Sequence, residues 1–153
     1  LFLCELAGKE GKVKAFDIQK EALDATAQLL KEQQAEDRAE LILDGHEHMD
    51  RYAEAESADV ICFNFGYLPG GNHALATRGE TSVQALSQAL ILLKKGGMIS
   101  LCIYSGGDSG FEERDQILAW LKQLDSHKYL VIKSEYFNRP NHPPIPVLVI
   151  KLS

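Results

Sequence analysis

Residues 13–30, VKAFDIQKEALDATAQLL, contain a short strand pattern followed at once by a helix pattern. The first part, Val13-Lys14-Ala15-Phe16, is mostly apolar and has the length of a short β-strand. In the second part Leu23, Ala27 and Leu30 recur at spacings of four and three, which places them on one face of a helix. The stretch therefore predicts one β-strand and one α-helix that covers it.

The same alternation of short apolar runs and longer helical patterns continues outward from this unit. Further strands are predicted at Leu41-Ile42-Leu43, at Val60-Ile61-Cys62-Phe63, which has the composition of a strand buried on both faces, and at residues 98–104. One helix is predicted after the capping-box spacing of Thr81 and Gln84, and its apolar face contains Val83, Leu86, Leu90 and Leu93. Another is predicted after the same spacing of Ser109 and Glu112, and its apolar face contains Ile117, Leu121 and Leu124. The first of these helices is predicted to end at Lys94-Lys95-Gly96. Such alternation predicts an α/β fold with a mainly parallel sheet.

The C-terminal part of the chain departs from this pattern. Two strand-like runs, Tyr129 to Phe137 and Val147 to Leu152, are separated by only nine residues, four of which are proline. A parallel crossover requires about a dozen residues or more and usually a helix. The sequence therefore predicts that these two strands pair antiparallel, as a hairpin that ends the sheet.

Size and composition limit the class of protein. The 153 residues, 45% of them hydrophobic, predict one domain over residues 1–153. No apolar run is long enough to span a bilayer and no secretion signal opens the chain, so a cytoplasmic location without membrane contact is expected. Three scattered cysteines are expected to be small buried hydrophobes. The formal charge of −6 argues against general coating of nucleic acid, so RNA would have to meet a local patch.

Polar side chains at the predicted strand ends are the first candidates for a ligand site, because ligands of open α/β sheets bind there. Asp17 can accept hydrogen bonds from both hydroxyls of a nucleoside ribose, although an Asp in this place is also a good helix cap. Asp44, with Gly45 and His46, follows the next strand and could lie against an adenine. The His46-x-His48 spacing also admits a metal site, but no third ligand is fixed by spacing.

The stretch Asn64-Phe65-Gly66-Tyr67-Leu68-Pro69 is the most informative one. An amide carbonyl at a strand end can accept a hydrogen bond from an amino group, while neighbouring aromatic rings stack on a planar base. The alternative is a buried turn whose rings fill the core. Asn64 is similar to the start of the Asn-Pro-Pro-Tyr signature of amino-group methyltransferases, with Phe65-Gly66 in place of the two prolines.

The chain resembles the small bacterial family of putative rRNA methylases, which are class I S-adenosylmethionine-dependent methyltransferases associated with 5-aminomethyl-2-thiouridine at the tRNA wobble position. The residues that carry the resemblance are Gly11-Lys12-Val13-x-Ala15-Phe16-Asp17-Ile18-Gln19, Asp44-Gly45-His46-Glu47, Asn64-Phe65-Gly66-Tyr67-Leu68-Pro69-Gly70-Gly71-x-His73 and Asn138-Arg139-Pro140-Asn141-x-Pro143-Pro144. The resemblance covers essentially the whole chain.

The resemblance implies S-adenosylmethionine as the methyl donor. It places Asp17 and Gln19 near the ribose, Asp44 and His46 beside the adenine, and Asn64, Phe65 and Gly66 at the cofactor as well. These last residues, with Tyr67, would lie between the sulfonium and the target amine. A hypothetical mechanism has Asn64 orient the amine, Phe65 and Tyr67 stack on the base, and His73 accept the proton.

The RNA substrate, more plausibly tRNA than rRNA, is expected to contact the loop that carries Arg78 and the proline-rich tail that carries Arg139 and His142. Oligomeric state, with a homodimer as one alternative, is left open by the sequence. Two other functions also remain open. One is a nicotinamide-dependent Rossmann oxidoreductase, which likewise uses an acidic residue after its second strand. The other is a non-catalytic RNA-binding module.

The start of the chain carries a further expectation. Leu1 to Leu6 has the pattern of the interior of a helix, with no start signal ahead of it. Members of the resembled family begin with a strand and a glycine-rich loop, and both would precede Leu1. We therefore expect a longer native protein, by roughly 25 to 40 residues, and unstable folding for a chain cut at Leu1.

Overall fold

The computed structural model describes residues 1–65, 79–105 and 110–153. The chain divides into two compact units, Leu1–His46 and Glu47–Ser153. Each unit has its own sheet and is described by itself below.

The first unit is a single strand–helix–strand motif preceded by a short helix. Its elements are α1 (Phe2–Leu6), β1 (Val13–Asp17), α2 (Lys20–Glu32), a 3-10 turn (Glu36–Arg38) and β2 (Ala39–Leu43). Strands β1 and β2 pair in parallel, with Val13 opposite Ala39 and Asp17 opposite Leu43. The predicted strand and covering helix of residues 13–30 are therefore confirmed.

A small apolar core holds the first unit together. Cys4, Leu30 and Ala35 are buried, and Val13 and Leu41 of the two strands pack against them. The Arg38 guanidinium adds polar contacts by donating hydrogen bonds to the carbonyl oxygens of Cys4 and Gly8. Of the predicted helix face, Leu30 is buried and Leu23 half-buried, whereas Ala27 is exposed. The core therefore uses only part of the apolar stripe of α2.

The described residues of the second unit, 47–65, 79–105 and 110–153, form a four-stranded mixed sheet and two α-helices. Its elements are β3 (Ala58–Phe65), α3 (Gly79–Leu92), β4 (Leu93–Ile103), α4 (Gly110–Lys122), β5 (Tyr129–Lys133) and β6 (Ile145–Lys151). The strand order is β3-β4-β6-β5, with β3 parallel to β4 and β6 antiparallel to both of its neighbours. The predicted C-terminal hairpin is thus confirmed, although its first strand ends at Lys133 rather than near Phe137.

The two faces of this sheet differ in burial. On one face Phe65, Ile99, Leu101, Ile103 and Val149 are at most 2% exposed, and α3 contacts β3 and β4. On the other face Val60, Leu130 and Ile132 are 50%, 45% and 42% exposed, and the neighbouring side chains of β4 and β6 are half-buried. The expectation that Val60 to Phe63 is buried on both faces is wrong for the described residues, because only Phe63 is buried.

The ends of α3 also correct the sequence prediction. Thr81 lies inside this helix, which already includes Gly79, and the helix ends at Leu92 rather than at Lys94-Lys95-Gly96. A side chain from another element donates to carbonyl groups at this end. The buried Lys151 ammonium donates to Leu90 O in the last turn at 3.2 Å and to the O of Leu93, the first residue of β4, at 2.8 Å. A cation at this end also suits the negative end of the helix dipole.

Two further expectations concern cysteines and membranes. Cys4 is buried as expected, but Cys62 is exposed and Cys102 only half-buried. No helix within residues 1–65, 79–105 and 110–153 has the length and apolarity that crossing a bilayer requires.

Candidate functional site

Asp17 ends β1 and starts the turn into α2. Its Oδ1 accepts a hydrogen bond from the backbone N–H of Gln19 at 2.8 Å, and Gln19 is the N-cap residue of α2 with an extended backbone. This local bond is an Asx-turn, in which a carboxylate replaces a backbone acceptor. The second oxygen, Oδ2, makes no hydrogen bond to the described residues, so Asp17 can fill the helix-start role and still offer an acceptor to a ligand hydroxyl.

Asp44 and His46 lie at the adjacent strand end. Because Asp17 is opposite Leu43 in the parallel register, Asp44 follows directly beside the end of β1. The Asp44 Oδ1 atom accepts a hydrogen bond from the Gly45 N–H at 2.8 Å, and the half-buried His46 then opens a 3-10 segment, His46–Arg51. The carboxyl edge of the first unit therefore brings together two carboxylates and one imidazole, which suit a ribose and an adenine edge.

Among the described residues, no third side chain joins His46 and His48 to form a metal site. Within the described part of the chain, no group of three or more His, Cys, Asp or Glu side chains is arranged to hold a metal ion.

Asn64 occupies the carboxyl end of β3 in the second unit. It lies opposite Cys102 of β4 and is exposed on the open face of the sheet. The ladder continues past the strand end, because the backbone N–H of Tyr104 donates to Phe65 O at 3.0 Å. Asn64 therefore presents an amide to solvent from a rigid strand end, as an amine-orienting residue requires.

Tyr104 was not predicted as a site residue, but it lies on the same face as Cys102 and is 42% exposed. A hydrogen bond with the Cys102 side chain, and next a Coulombic interaction with that group, raise the pKa of the Tyr104 phenol. Like an ordinary tyrosine, it is protonated near neutral pH and can donate a hydrogen bond. The strand pattern of residues 98–104 indicated its position but not its exposure.

Phe65 corrects an expectation. Its ring is 1% exposed and stacks on the Phe63 ring, with centroids 4.9 Å apart and planes inclined by 13°. A core position of this kind leaves no open ring face for stacking on a substrate base. The strand alternation places the rings of Phe63 and Phe65 on the helix-covered face and Asn64 on the open one.

The remaining predicted residues divide into two groups. Arg139 and His142 are exposed in the loop between β5 and β6, and the His142 ring packs edge-on against Phe111 of α4. Gly66, Tyr67, His73 and Arg78 lie outside the described residues, and their roles stay predictions. Phe111 itself was missed, because a contact between positions 31 residues apart leaves no local sequence signal.

The fold and the strand-end residues define a class of protein. The mainly α/β architecture, the strand-end acid after β1 and the reversed strand β6 are those of class I S-adenosylmethionine-dependent methyltransferases. The model of one family, Putative rRNA methylase, matches residues 13–150. The chain belongs to this family, which removes the nicotinamide-dependent oxidoreductase as an alternative.

Three similar proteins support this assignment. A crystal structure of a putative rRNA methylase from Clostridium thermocellum is 45% identical, with a TM-score of 0.93 over 98% of this chain and 80% of that one. A putative methyltransferase from Streptococcus mutans, solved in complex with S-adenosylhomocysteine (SAH), is 33% identical, with a TM-score of 0.84 over 92% and 76% of the two chains. The chloroplastic tRNA (mnm(5)s(2)U34)-methyltransferase of Arabidopsis thaliana is 35% identical over 89% of this chain. The chain spans 51% of that plant protein's length.

Proposed function

We propose that this protein is an S-adenosylmethionine-dependent RNA methyltransferase that methylates the amino nitrogen of a 5-aminomethyl group on a tRNA wobble uridine. The observation that carries the proposal is the pair of adjacent strand ends in the first unit, where Asp17 and Asp44 offer acceptors on one edge. Membership of the rRNA methylase family and the similarity to a plant tRNA methyltransferase support the RNA substrate.

The first unit would hold the nucleoside part of the cofactor. Asp17 Oδ2 would accept hydrogen bonds from the ribose hydroxyls, with Gln19 beside it at the start of α2, and Asp44 and His46 would contact the adenine edge. A carboxylate that accepts from a hydroxyl forms a charge-assisted bond, which is roughly twice as strong as a neutral one. S-adenosylmethionine, when bound, supplies an electrophilic methyl group on a sulfonium.

The second unit would position the acceptor amine. The exposed Asn64 amide oxygen accepts a hydrogen bond from the amine and fixes the direction of its lone pair. The amine has to be neutral to act as a nucleophile, so one proton leaves before or during transfer. Tyr104 is unsuited to accept it, since the raised pKa keeps its phenol protonated. His73 and Tyr67 stay our sequence-based proposals for the proton acceptor and the base-stacking ring, and Gly66 for a backbone contact to the cofactor.

Positively charged side chains on a local part of the surface would contact the RNA phosphates. With a formal charge of −6 the chain as a whole repels phosphates, so the tail residues Arg139 and His142, together with Arg78, are proposed as contacts. Arg139 makes no ion pair with the described residues and is exposed, so its full charge is available. Replacing Arg139 by Ala should reduce the slope of log affinity against log salt by about one.

Tritium transfer from methyl-labelled S-adenosylmethionine into separate tRNA and rRNA pools tests the proposal. The wild type should label the tRNA pool, and Asn64→Ala should lower the turnover rate by roughly 10²-fold or more at saturating cofactor. Cys62→Ala is the matched control, because Cys62 is exposed on the same face of β3, two residues earlier. Label in rRNA alone would refute the tRNA substrate, and equal rates for both variants would refute the role of Asn64.

A further inference from the structure

Three side chains of the second unit form a cluster, and the proposed function uses only one of them, His142, as an RNA contact. The Arg114 guanidinium carbon lies 4.7 Å from the centroid of the Phe111 ring, over one of its faces. The His142 ring meets Phe111 edge-on, with centroids 5.2 Å apart and planes inclined by 85°. Phe111 and Arg114 belong to the first turns of α4, whereas His142 belongs to the loop before β6. The cluster therefore fixes the loop to the helix.

The cluster lies at the carboxyl end of β4, on the same edge of the sheet as Asn64. The first residue of α4, Gly110, packs directly on the backbone of Ser105, since a Cβ there would come within 3.0 Å of the Ser105 carbonyl carbon. On the other side, β6 begins at Ile145, which is opposite Ile103, the last residue of β4. Phe111 follows Gly110 directly, and His142 comes three residues before Ile145. Both residues are therefore close in sequence to this edge of the sheet.

The backbone before β6 holds His142 in an uncommon conformation. Asn141 and His142 have φ angles of 65° and 49°, both in the left-handed region. Asn and His visit this region more readily than most residues, but two in succession are uncommon. Residues held in such conformations cluster at ligand clamps and active sites. The residue in this left-handed turn is the one whose imidazole contacts the edge of the Phe111 ring.

The charge of the cluster is largely satisfied within the protein. Arg114 forms an ion pair with Asp115, at 2.6 Å between Nη2 and Oδ1, and its side chain is 21% exposed. A paired arginine under a ring is poorly placed to bind a phosphate. Phe111, in contrast, remains 43% exposed although two of its sides are covered. The Phe111 ring thus keeps an exposed surface, while Arg114 covers one of its faces and His142 contacts its edge.

We propose that Phe111, supported by Arg114 and His142, is a stacking platform for an unpaired nucleotide of the RNA substrate, close to the nucleotide that receives the methyl group. This inference rests on the proposed RNA methyltransferase function. Unpaired bases splay out and stack on aromatic side chains, and this contact tolerates any base because each has a π-face. Phe111 contributes affinity through ring area, whereas Arg139 contributes it through charge.

Binding of a fluorescently labelled anticodon stem-loop, followed by anisotropy at several salt concentrations, tests the platform. Phe111→Ala should weaken binding roughly 5- to 100-fold without changing the salt slope, and Phe111→Trp should restore it. His142→Ala, a change in an exposed loop, guards against misfolding of the helix variant. It should also weaken binding without changing the salt slope, as loss of support for Phe111 predicts, whereas loss of a phosphate contact would flatten the slope. The control is Ile91→Ala, which removes an exposed apolar side chain near the opposite end of the sheet.

The possible outcomes separate the platform from the enzyme activity. SAH affinity should be the same in Phe111→Ala and the wild type, because the platform meets RNA and not the cofactor. If the wild type binds the stem-loop but transfers no methyl group, the proposed function fails and the platform is still judged by binding alone. Unchanged RNA affinity in Phe111→Ala, a flatter salt slope in that variant, or no RNA binding by the wild type would each overturn the platform.

Discussion

The Oδ1 atom of Asp17 accepts a hydrogen bond from the backbone N–H of Gln19 at 2.8 Å, so one carboxylate links the end of β1 to the start of α2. This contact accounts for one oxygen of the side chain and leaves the other for a ligand. A structural and a ligand-binding role therefore coexist in Asp17, and substitutions can separate them.

Asp17→Asn keeps an oxygen for the Gln19 N–H but loses the charge and the second acceptor. We expect this variant to unfold at nearly the wild-type temperature and to bind SAH roughly 10- to 100-fold more weakly, as for loss of a hydrogen bond to a charged group. Asp17→Ala should lose the same affinity and also about 1 kcal/mol of stability. Calorimetric titration and thermal unfolding measure the two effects. If Asp17→Asn bound SAH as tightly as the wild type, Asp17 would have only the structural role in the turn.

Tyr104 should ionise above the ordinary tyrosine range because of its hydrogen bond with the Cys102 side chain, and Cys102→Ala should lower the Tyr104 pKa toward that range. Since the folded protein holds this proton more tightly than the unfolded chain, the contribution to stability is present below the ordinary tyrosine pKa and is lost as pH rises through the raised one. Tyrosinate absorbance, with Tyr104→Phe subtracted, follows the titration. An unshifted Tyr104 in both proteins would contradict the contact.

Ser82 and Glu113 form a buried pair between α3 and α4, with 2.5 Å from the Ser82 Oγ to the Glu113 Oε1 and exposures of 0% and 4%. Ser82→Ala leaves the carboxylate without this donor and should cost roughly 1–3 kcal/mol of unfolding free energy. Adding Glu113→Leu to Ser82→Ala should recover part of that loss, because no unsatisfied polar group then remains. Urea unfolding of Ser82→Ala, Glu113→Leu and the double variant checks this, and a double variant that loses the sum of both single effects would speak against a coupled pair.

Lys151 is another buried polar side chain, and its ammonium contacts the Glu56 carboxylate at 3.2 Å as well as the Leu90 and Leu93 carbonyl oxygens. Lys151→Met keeps most of the side-chain volume but removes the donor to Leu90 O and Leu93 O, so we expect a loss of roughly 1–3 kcal/mol. The matched control is Lys94→Met, since Lys94 pairs with a 79% exposed Asp59 at the surface and should cost less than about 1 kcal/mol. Equal losses in denaturant unfolding would show that the Leu90 and Leu93 carbonyls do not depend on Lys151.

Periodic patterns in the sequence predicted most of the fold. The strand and helix of residues 13–30 and the reversed C-terminal hairpin follow from local spacing and loop length, and both are confirmed. The burial of Val60 could not be predicted this way, because an apolar run looks the same whether one sheet face is covered or two. The end of α3 was missed for a related reason, since Lys151, 58 residues after Leu93, donates to carbonyl groups at this end.

The positions of Asp17, Asp44 and Asn64 at strand ends were predictable from the sequence, and their roles in a ligand site stay predictions. The sequence did not predict which side chains point toward the candidate site and which point into the core. Phe65 follows Asn64 directly, yet the strand alternation sends its ring into the core against Phe63. Phe111 and His142, 31 positions apart, meet through a loop before β6 that turns through two left-handed residues. Contacts between distant positions of this kind have no local pattern.

The most direct test of the central claim uses two tRNAs that differ only at the wobble uridine, one with a 5-aminomethyl-2-thiouridine and one with an unmodified uridine. Both are incubated with the protein and S-adenosylmethionine, and the nucleosides are identified by mass spectrometry. The proposed function predicts a gain of one methyl group on the aminomethyl nitrogen of the first tRNA and none on the second. Methylation of both tRNAs at another atom, or of neither, would contradict it.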